Sequence, residues 1–286
     1  MTLNLQEARD YCRKLATTHY ENFTVAARIL PREILPHFYV VYAYCRYSDD
    51  LADEISDSKQ ALNALLDWEK QLFRVYDGEA HHPIFVALSD TIKTFDIPIE
   101  PFHNLLKAFK MDQAVKRYNT YEELLSYCRY SANPVGHLVL YLFNYRDKFR
   151  QELSDATCTA LQLINFWQDI EIDYRKGRIY LPLEEMSRFG VNEKIIAGGQ
   201  TTAEFRSLME FQLKRTEKLF KRGLKLICHI KPRYASIAIE MFSRGGMKIL
   251  EGIRRNDYDI FRKRPTLDKK DKRSIAIKSI LSANWI

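Results

Sequence analysis

Apolar residues recur three to four positions apart along nearly the whole chain, the rhythm of amphipathic helices. It predicts helices over 4–18, 32–55, 60–76, 84–95, 101–113, 120–148, 153–174, 201–229, 233–255 and 270–282. The rhythm fails where breakers sit: Pro31 and Pro36, His81-His82-Pro83, Ile97-Pro98, Gly177, Gly198-Gly199 and Lys231-Pro232. Strand-like alternation is nearly absent, so the expected fold class is all-α. No repeat, low-complexity tract or composition shift marks a linker, and a single domain over 1–286 is the expected organisation. Gly245-Gly246 interrupts a helical stretch at a cost of about 1 kcal/mol per glycine. A kink, a close helix contact or a lining role beside a ligand would each account for the pair.

Two of these helices carry an acidic face. With a step of about 100° per residue and Tyr42 set at zero, Arg46 falls at about 40°, Asp49 at about 340° and Asp53 at about 20°. One narrow face thus carries a phenol, a guanidinium and two carboxylates, and Phe38 to Cys45 upstream is apolar or aromatic all round. On the second helix, Gln162 at zero places Asn165 at about 300°, Asp169 at about 340° and Asp173 at about 20°. Its other faces are Leu161, Leu163, Ile164, Phe166, Trp167, Ile170 and Ile172. A lone acidic run is often a solvated helix face. Two such faces on otherwise apolar helices call for metal or ion pairing, because carboxylates are seldom placed beside a core without either.

Composition narrows the chemistry. Ten glycines and nine prolines in 286 residues are few for a β-rich domain. The five cysteines, Cys12, Cys45, Cys128, Cys158 and Cys228, are scattered without a CxxC pair, which points to free thiols in a reducing cytoplasm. The first ten residues hold no apolar core of a signal peptide, and no uncharged run approaches the ~18 residues of a membrane span. A net charge of +7 is spread along the chain, and its densest stretch, Arg262 to Arg273, lacks interleaved aromatics. That argues against nucleic acid and for an anionic substrate or membrane surface.

Oxygen donors suit a hard divalent cation, and magnesium is usually held by a few carboxylates together with substrate phosphates. Carboxylates at i, i+4 on two helices form a clamp for a magnesium-bridged diphosphate. The metal would neutralise the leaving group as the C–O bond breaks. The aromatic surplus (Tyr 17, Phe 16, Trp 3) would line an apolar cavity, where ring faces stabilise a carbocation by about 1–2 kcal/mol each.

At these residues the chain resembles the squalene/phytoene synthase family, over roughly residues 8 to 272. The markers are His19-Tyr-Glu-Asn-Phe23, Tyr42 to Glu54, Arg117-Tyr118, Tyr127 to Gly136, Asn165, Asp169 and Asp173, Gly177 to Pro182, and Tyr258 with Arg264. The resemblance implies an isoprenoid-synthase fold, a helix bundle around a central apolar cavity, with three Mg²⁺ ions. It implies that Asp49, Asp53, Asn165, Asp169 and Asp173 hold metal, with the four aspartates and Tyr127 acting in catalysis. Tyr42, Arg46, Gln162, Arg264, His19 and Asn22 would bind diphosphate, the segment around His19 to Phe23 forming a flap.

Two departures point to a branch. Members that condense two prenyl diphosphates usually have an Arg directly before the second-motif Asp, where this chain has Gln168, and the flap carries Glu21 and Asn22. Both changes lower positive charge in the diphosphate region, and the pattern looks most like hydroxysqualene synthases of bacterial hopanoid pathways. That branch takes presqualene diphosphate and quenches its rearranged cation with water. Head-to-head condensation of two prenyl diphosphates is the alternative on the same fold. A non-enzymatic assembly factor is disfavoured because the carboxylates are all present. The expected setting is the cytoplasm, peripheral on the inner face of the cytoplasmic membrane through residues 262–273, beside other enzymes of the squalene and hopanoid pathway.

Overall fold

The computed structural model describes residues 4–19 and 29–282, except for the His19 side chain. Its elements are helical, and among the described residues only an isolated parallel bridge between Arg117 and Ile179 departs from this. The all-α expectation holds.

Two compact units make up the chain, one of residues 1–114 and 134–151, the other of 115–133 and 152–286. The first unit contains α1 (Leu5–His19), α2 (Leu35–Asp53), α3 (Ser58–Tyr76), α4 (Pro83–Phe95) and α5 (Glu100–Ala114). Here α2 packs against α1, α3, α4 and α5. Its inward face is aromatic: Tyr44 lies edge-on to Phe102, with ring centroids 5.1 Å apart, and donates its hydroxyl to the Phe102 carbonyl at 3.0 Å. Trp68 donates Nε1–H to Ser48 Oγ at 3.0 Å, and Ser48 donates to the Tyr44 carbonyl at 2.7 Å. These buried bonds satisfy the two hydroxyls on the inward face. Pro36 sits in the first turn of α2 and does not break it, since the N–H it lacks would have no partner there.

Within 120–148 the chain does not form one helix. It forms α6 (Tyr121–Ser131) and α7 (Asn133–Leu142), with a break at Ala132, two residues before Pro134, which has no N–H to offer the carbonyl four residues back and so cannot continue the helix.

The second unit is built on α8 (Lys148–Gln168), α9 (Ile170–Arg175), α12 (Ala203–Gly223) and α13 (Arg233–Arg255), with short helices α10 (Leu183–Arg188) and α11 (Glu193–Ala197) and the closing α14 (Lys269–Ser282). The first residues of α8 belong to the other unit. A 3₁₀ turn, Leu224–His229, ends the stretch predicted as helix to residue 229. Close approach explains two glycines here. A Cβ on Gly223 would lie 2.0 Å from Thr157 Oγ1, and one on Gly246 would lie 2.4 Å from Phe220 Cζ and 2.7 Å from Leu161 Cδ2. Of the three accounts of the glycine pair, close helix contact is the one that fits Gly246.

Candidate active site

In the first unit, the outward side of α2 presents Tyr42, Arg46, Asp49, Asp50 and Asp53. Arg46 Nη2 lies 2.5 Å from Asp50 Oδ1, and Arg46 also approaches Asp49 Oδ2 at 3.5 Å and Glu54 Oε1 at 3.6 Å. Partial burial would lower the affinity of Arg46 for its proton, but the Asp50 and Asp49 carboxylates outweigh it and raise its pKa. The sequence reading singled out Asp49 and Asp53; the nearest partner of Arg46 is Asp50, one residue off the predicted face. Gln113 donates Nε2–H to the Ala52 carbonyl at 3.0 Å, tying the end of this helix to α5. Burial pushes the Cys45 thiol beside this face up to about 12, so it remains an un-ionised apolar neighbour.

In the second unit, Gln162, Asn165, Asp169 and Asp173 follow one another about one turn apart. The Asp169 N–H donates to the Asn165 carbonyl at 2.9 Å, and the Asp173 N–H to the Asp169 carbonyl at 2.8 Å. The helix is interrupted at Asp169 itself (φ −109°, ψ 15°), where α8 gives way to α9. Arg264 grips this residue from another part of the chain, donating Nε–H to Oδ1 at 2.5 Å and Nη2–H to Oδ2 at 3.0 Å. Such a fork fixes both the position and the plane of the carboxylate.

Neighbouring residues brace this motif. Arg117 donates Nη1–H to the Gly177 carbonyl at 2.6 Å and pairs through Nε with Glu193 Oε1 at 2.9 Å, which holds the turn after α9. Gly177 takes φ +75° there, a conformation open to glycine at little cost. Arg175 pairs with Glu171 at 2.5 Å on the surface. Tyr127, Tyr118, Phe166 and Tyr180 form an aromatic cluster, in which Phe166 and Tyr180 stack at 3.8 Å with their planes 7° apart. Tyr127 is buried within this cluster.

Gln168, read from the sequence as a neutral residue in place of a cation, also has a hydrogen-bonding partner. Its side chain is buried and donates Nε2–H to the Pro265 carbonyl, next to Arg264. The carboxamide is thus committed to a backbone oxygen, a role that the sequence could not reveal because the partner lies 97 residues away. Glu21, Asn22 and Phe23 of the predicted flap lie outside the described residues, and His19 closes α1.

The donor set suits magnesium. Among the described residues no three Asp, Glu, His or Cys side chains gather so as to hold an ion unaided. Each helix instead offers spaced oxygen donors, and magnesium characteristically completes its shell with phosphate oxygens and water.

A squalene/phytoene synthase family model matches residues 16–271. Phytoene synthase of Arthrospira platensis is 31% identical over 273 residues, covering 90% of this chain and 87% of that protein. Among solved structures, squalene synthase HpnC from Alicyclobacillus acidocaldarius is 43% identical with a TM-score of 0.83, covering 89% of this chain and 95% of the other. A dehydrosqualene synthase in complex with ligand is 26% identical with a TM-score of 0.91, covering 99% and 98%. The family match spans about nine-tenths of the chain and both acidic helices lie within it: the chain belongs to the squalene/phytoene synthase family, whose members act on prenyl diphosphates.

Proposed function

We propose that this enzyme ionises presqualene diphosphate, rearranges the cyclopropylcarbinyl cation and quenches it with water to give hydroxysqualene, in squalene and hopanoid biosynthesis. The observation that carries this reading is Gln168. Where condensing members usually place a cation, this chain has a buried neutral carboxamide spent on the Pro265 carbonyl. A site that holds one diphosphate needs less positive charge than one that accepts two. The 43% identity to HpnC supports the same branch. The phytoene synthase relatives favour the second reading, head-to-head condensation of two prenyl diphosphates.

Asp49 and Asp53 in the first unit, and Asn165, Asp169 and Asp173 in the second, would hold magnesium, three ions being the family expectation. When bound, the metal would supply charge neutralisation for the departing diphosphate. The chain's own residues do the rest. Arg46 and Arg264 would supply positive charge to phosphate oxygens, and Tyr42 and Gln162 would serve as hydrogen-bonding partners. Tyr127, in the aromatic cluster with Phe166 and Tyr180, would stabilise the cation. Incubation without NADPH, followed by gas chromatography, tests the assignment. Presqualene diphosphate should yield a C30 alcohol and farnesyl diphosphate alone should yield little. Presqualene diphosphate or phytoene made from C15 or C20 precursors would instead establish the second reading.

We also propose peripheral attachment to the inner face of the cytoplasmic membrane, where pathway enzymes meet an apolar product. No described helix is long and apolar enough to cross a membrane. In α14, Ile275 and Ser279 face inward, while Ile277 (58% exposed), Ile280 (43%) and Leu281 (55%) stand outward. Lys270, Arg273 and Lys278 are exposed on the same helix. Apolar groups flanked by cations suit an anionic lipid surface. In this proposal the contact runs from Lys270 on to Leu281, and Arg264, engaged by Asp169, takes no part in it.

A further inference from the structure

Residues 256–268, between α13 and α14, are irregular yet held at many points. The segment starts with two residues in the left-handed region, Asp257 (φ 51°) and Tyr258 (φ 61°), which side chains other than glycine adopt at a cost. Arg206 pairs with Asp257 at 2.7 Å, and Thr201 donates to Asp259 Oδ1 at 3.0 Å. Ile260 is buried, and Phe261 meets Phe205 at 4.9 Å between ring centroids. Beyond Arg264 the segment crosses α13 where that helix has glycines two turns apart. A Cβ on Gly252 would lie 3.2 Å from Pro265 Cβ, and one on Gly245 would lie 3.7 Å from Leu267 Cδ1. Gln168, one residue before Asp169, reaches the Pro265 carbonyl from the other side.

We propose that Gln168 and Gly252 are positioning residues that seat this strap so that Arg264 meets Asp169 and, with it, the diphosphate. Gln168 touches no substrate in this account; it acts through the backbone beside Arg264. A guanidinium on an untethered loop would spread over many orientations, and binding would have to restrict them; a strap fixed on both sides of the residue removes most of that loss beforehand. The proposal deepens the functional reading and rests on the role given there to Arg264.

The test is titration calorimetry of the full chain with inorganic pyrophosphate in Mg²⁺, together with amide hydrogen exchange over 256–268 without metal. Gln168→Met keeps the side chain's length and removes its donor. It should weaken pyrophosphate binding about tenfold, the loss expected for one hydrogen bond of the stronger kind, and speed exchange in the strap. Gly252→Val should do the same by displacing Pro265, and serves if Gln168→Met does not fold. Because both act through Arg264, neither should weaken binding further in an Arg264→Ala background. Binding that is unchanged in both single variants while Arg264→Ala is weakened overturns the proposal, as does a full additional loss in the double variants. If Arg264→Ala itself binds pyrophosphate normally, the diphosphate role of Arg264 falls, and with it the proposal; hydrogen exchange then reports only whether Gln168 restrains the strap.

Discussion

Asp169→Asn separates chemistry from stability. In the structure Asp169 accepts two hydrogen bonds from Arg264, at 2.5 and 3.0 Å, with side chains 44% exposed for Arg264 and 23% for Asp169. The substitution turns one accepting oxygen into an NH₂ that faces a guanidinium donor, and so breaks the fork. Ion pairs this open to solvent are worth about 0.2–1 kcal/mol. For a chain of this size, that lowers the melting temperature by at most about 4 °C. The catalytic loss should be much larger. A magnesium ligand supplies several kcal/mol of leaving-group stabilisation, so turnover should fall at least ~10²-fold, about 2.7 kcal/mol in barrier height. Circular dichroism melts alongside gas-chromatographic product assays measure both quantities on one preparation. Turnover within threefold of wild type would refute the metal-ligand assignment, and unfolding at the assay temperature would refute the small stability share given to the ion pair.

Three further outcomes are expected. Activity should vanish in EDTA and return with Mg²⁺, and full activity without divalent metal would remove the basis for the metal assignment. Gly246→Val should destabilise the protein by about 1–3 kcal/mol in denaturant titrations, because the new side chain meets Phe220 and Leu161 at under 3 Å; unchanged stability would mean that this contact is looser than described. The protein should co-sediment with phosphatidylglycerol vesicles at low salt and lose affinity at high salt, each basic residue near the surface adding about 1 kcal/mol. Replacing Ile277, Ile280 and Leu281 together by Ser should weaken that binding with little effect on melting, and absence of co-sedimentation at low salt would count against attachment.

The helices were legible because their cores are periodic: the residues buried on α3 and α12 follow one stripe each. What the pattern missed is local or long-range. The break at Ala132 comes from a proline two residues on, and the interruption at Asp169 has no breaker residue to announce it. The short helices α10 and α11 span six and five residues, too few for a period to show. Both acidic faces could be read from i, i+4 spacing, since that spacing follows from helix geometry alone. The partners could not be: Asp50 binds Arg46 from off the predicted face, and the tie from Gln168 to Pro265 joins residues far apart in sequence. Gln168, read as a missing charge, is also a hydrogen-bond donor to the Pro265 carbonyl, which its sequence position gave no sign of.

The most direct measurement of the central claim is the fate of oxygen in the product. Purified protein, presqualene diphosphate and Mg²⁺ in H₂¹⁸O without NADPH should give a C30 alcohol carrying one ¹⁸O atom by mass spectrometry, because solvent water ends the cation cascade. An unlabelled alcohol would mean that the oxygen comes from the diphosphate ester by P–O cleavage, and no alcohol at all would mean that water does not quench this cation; either result contradicts the account.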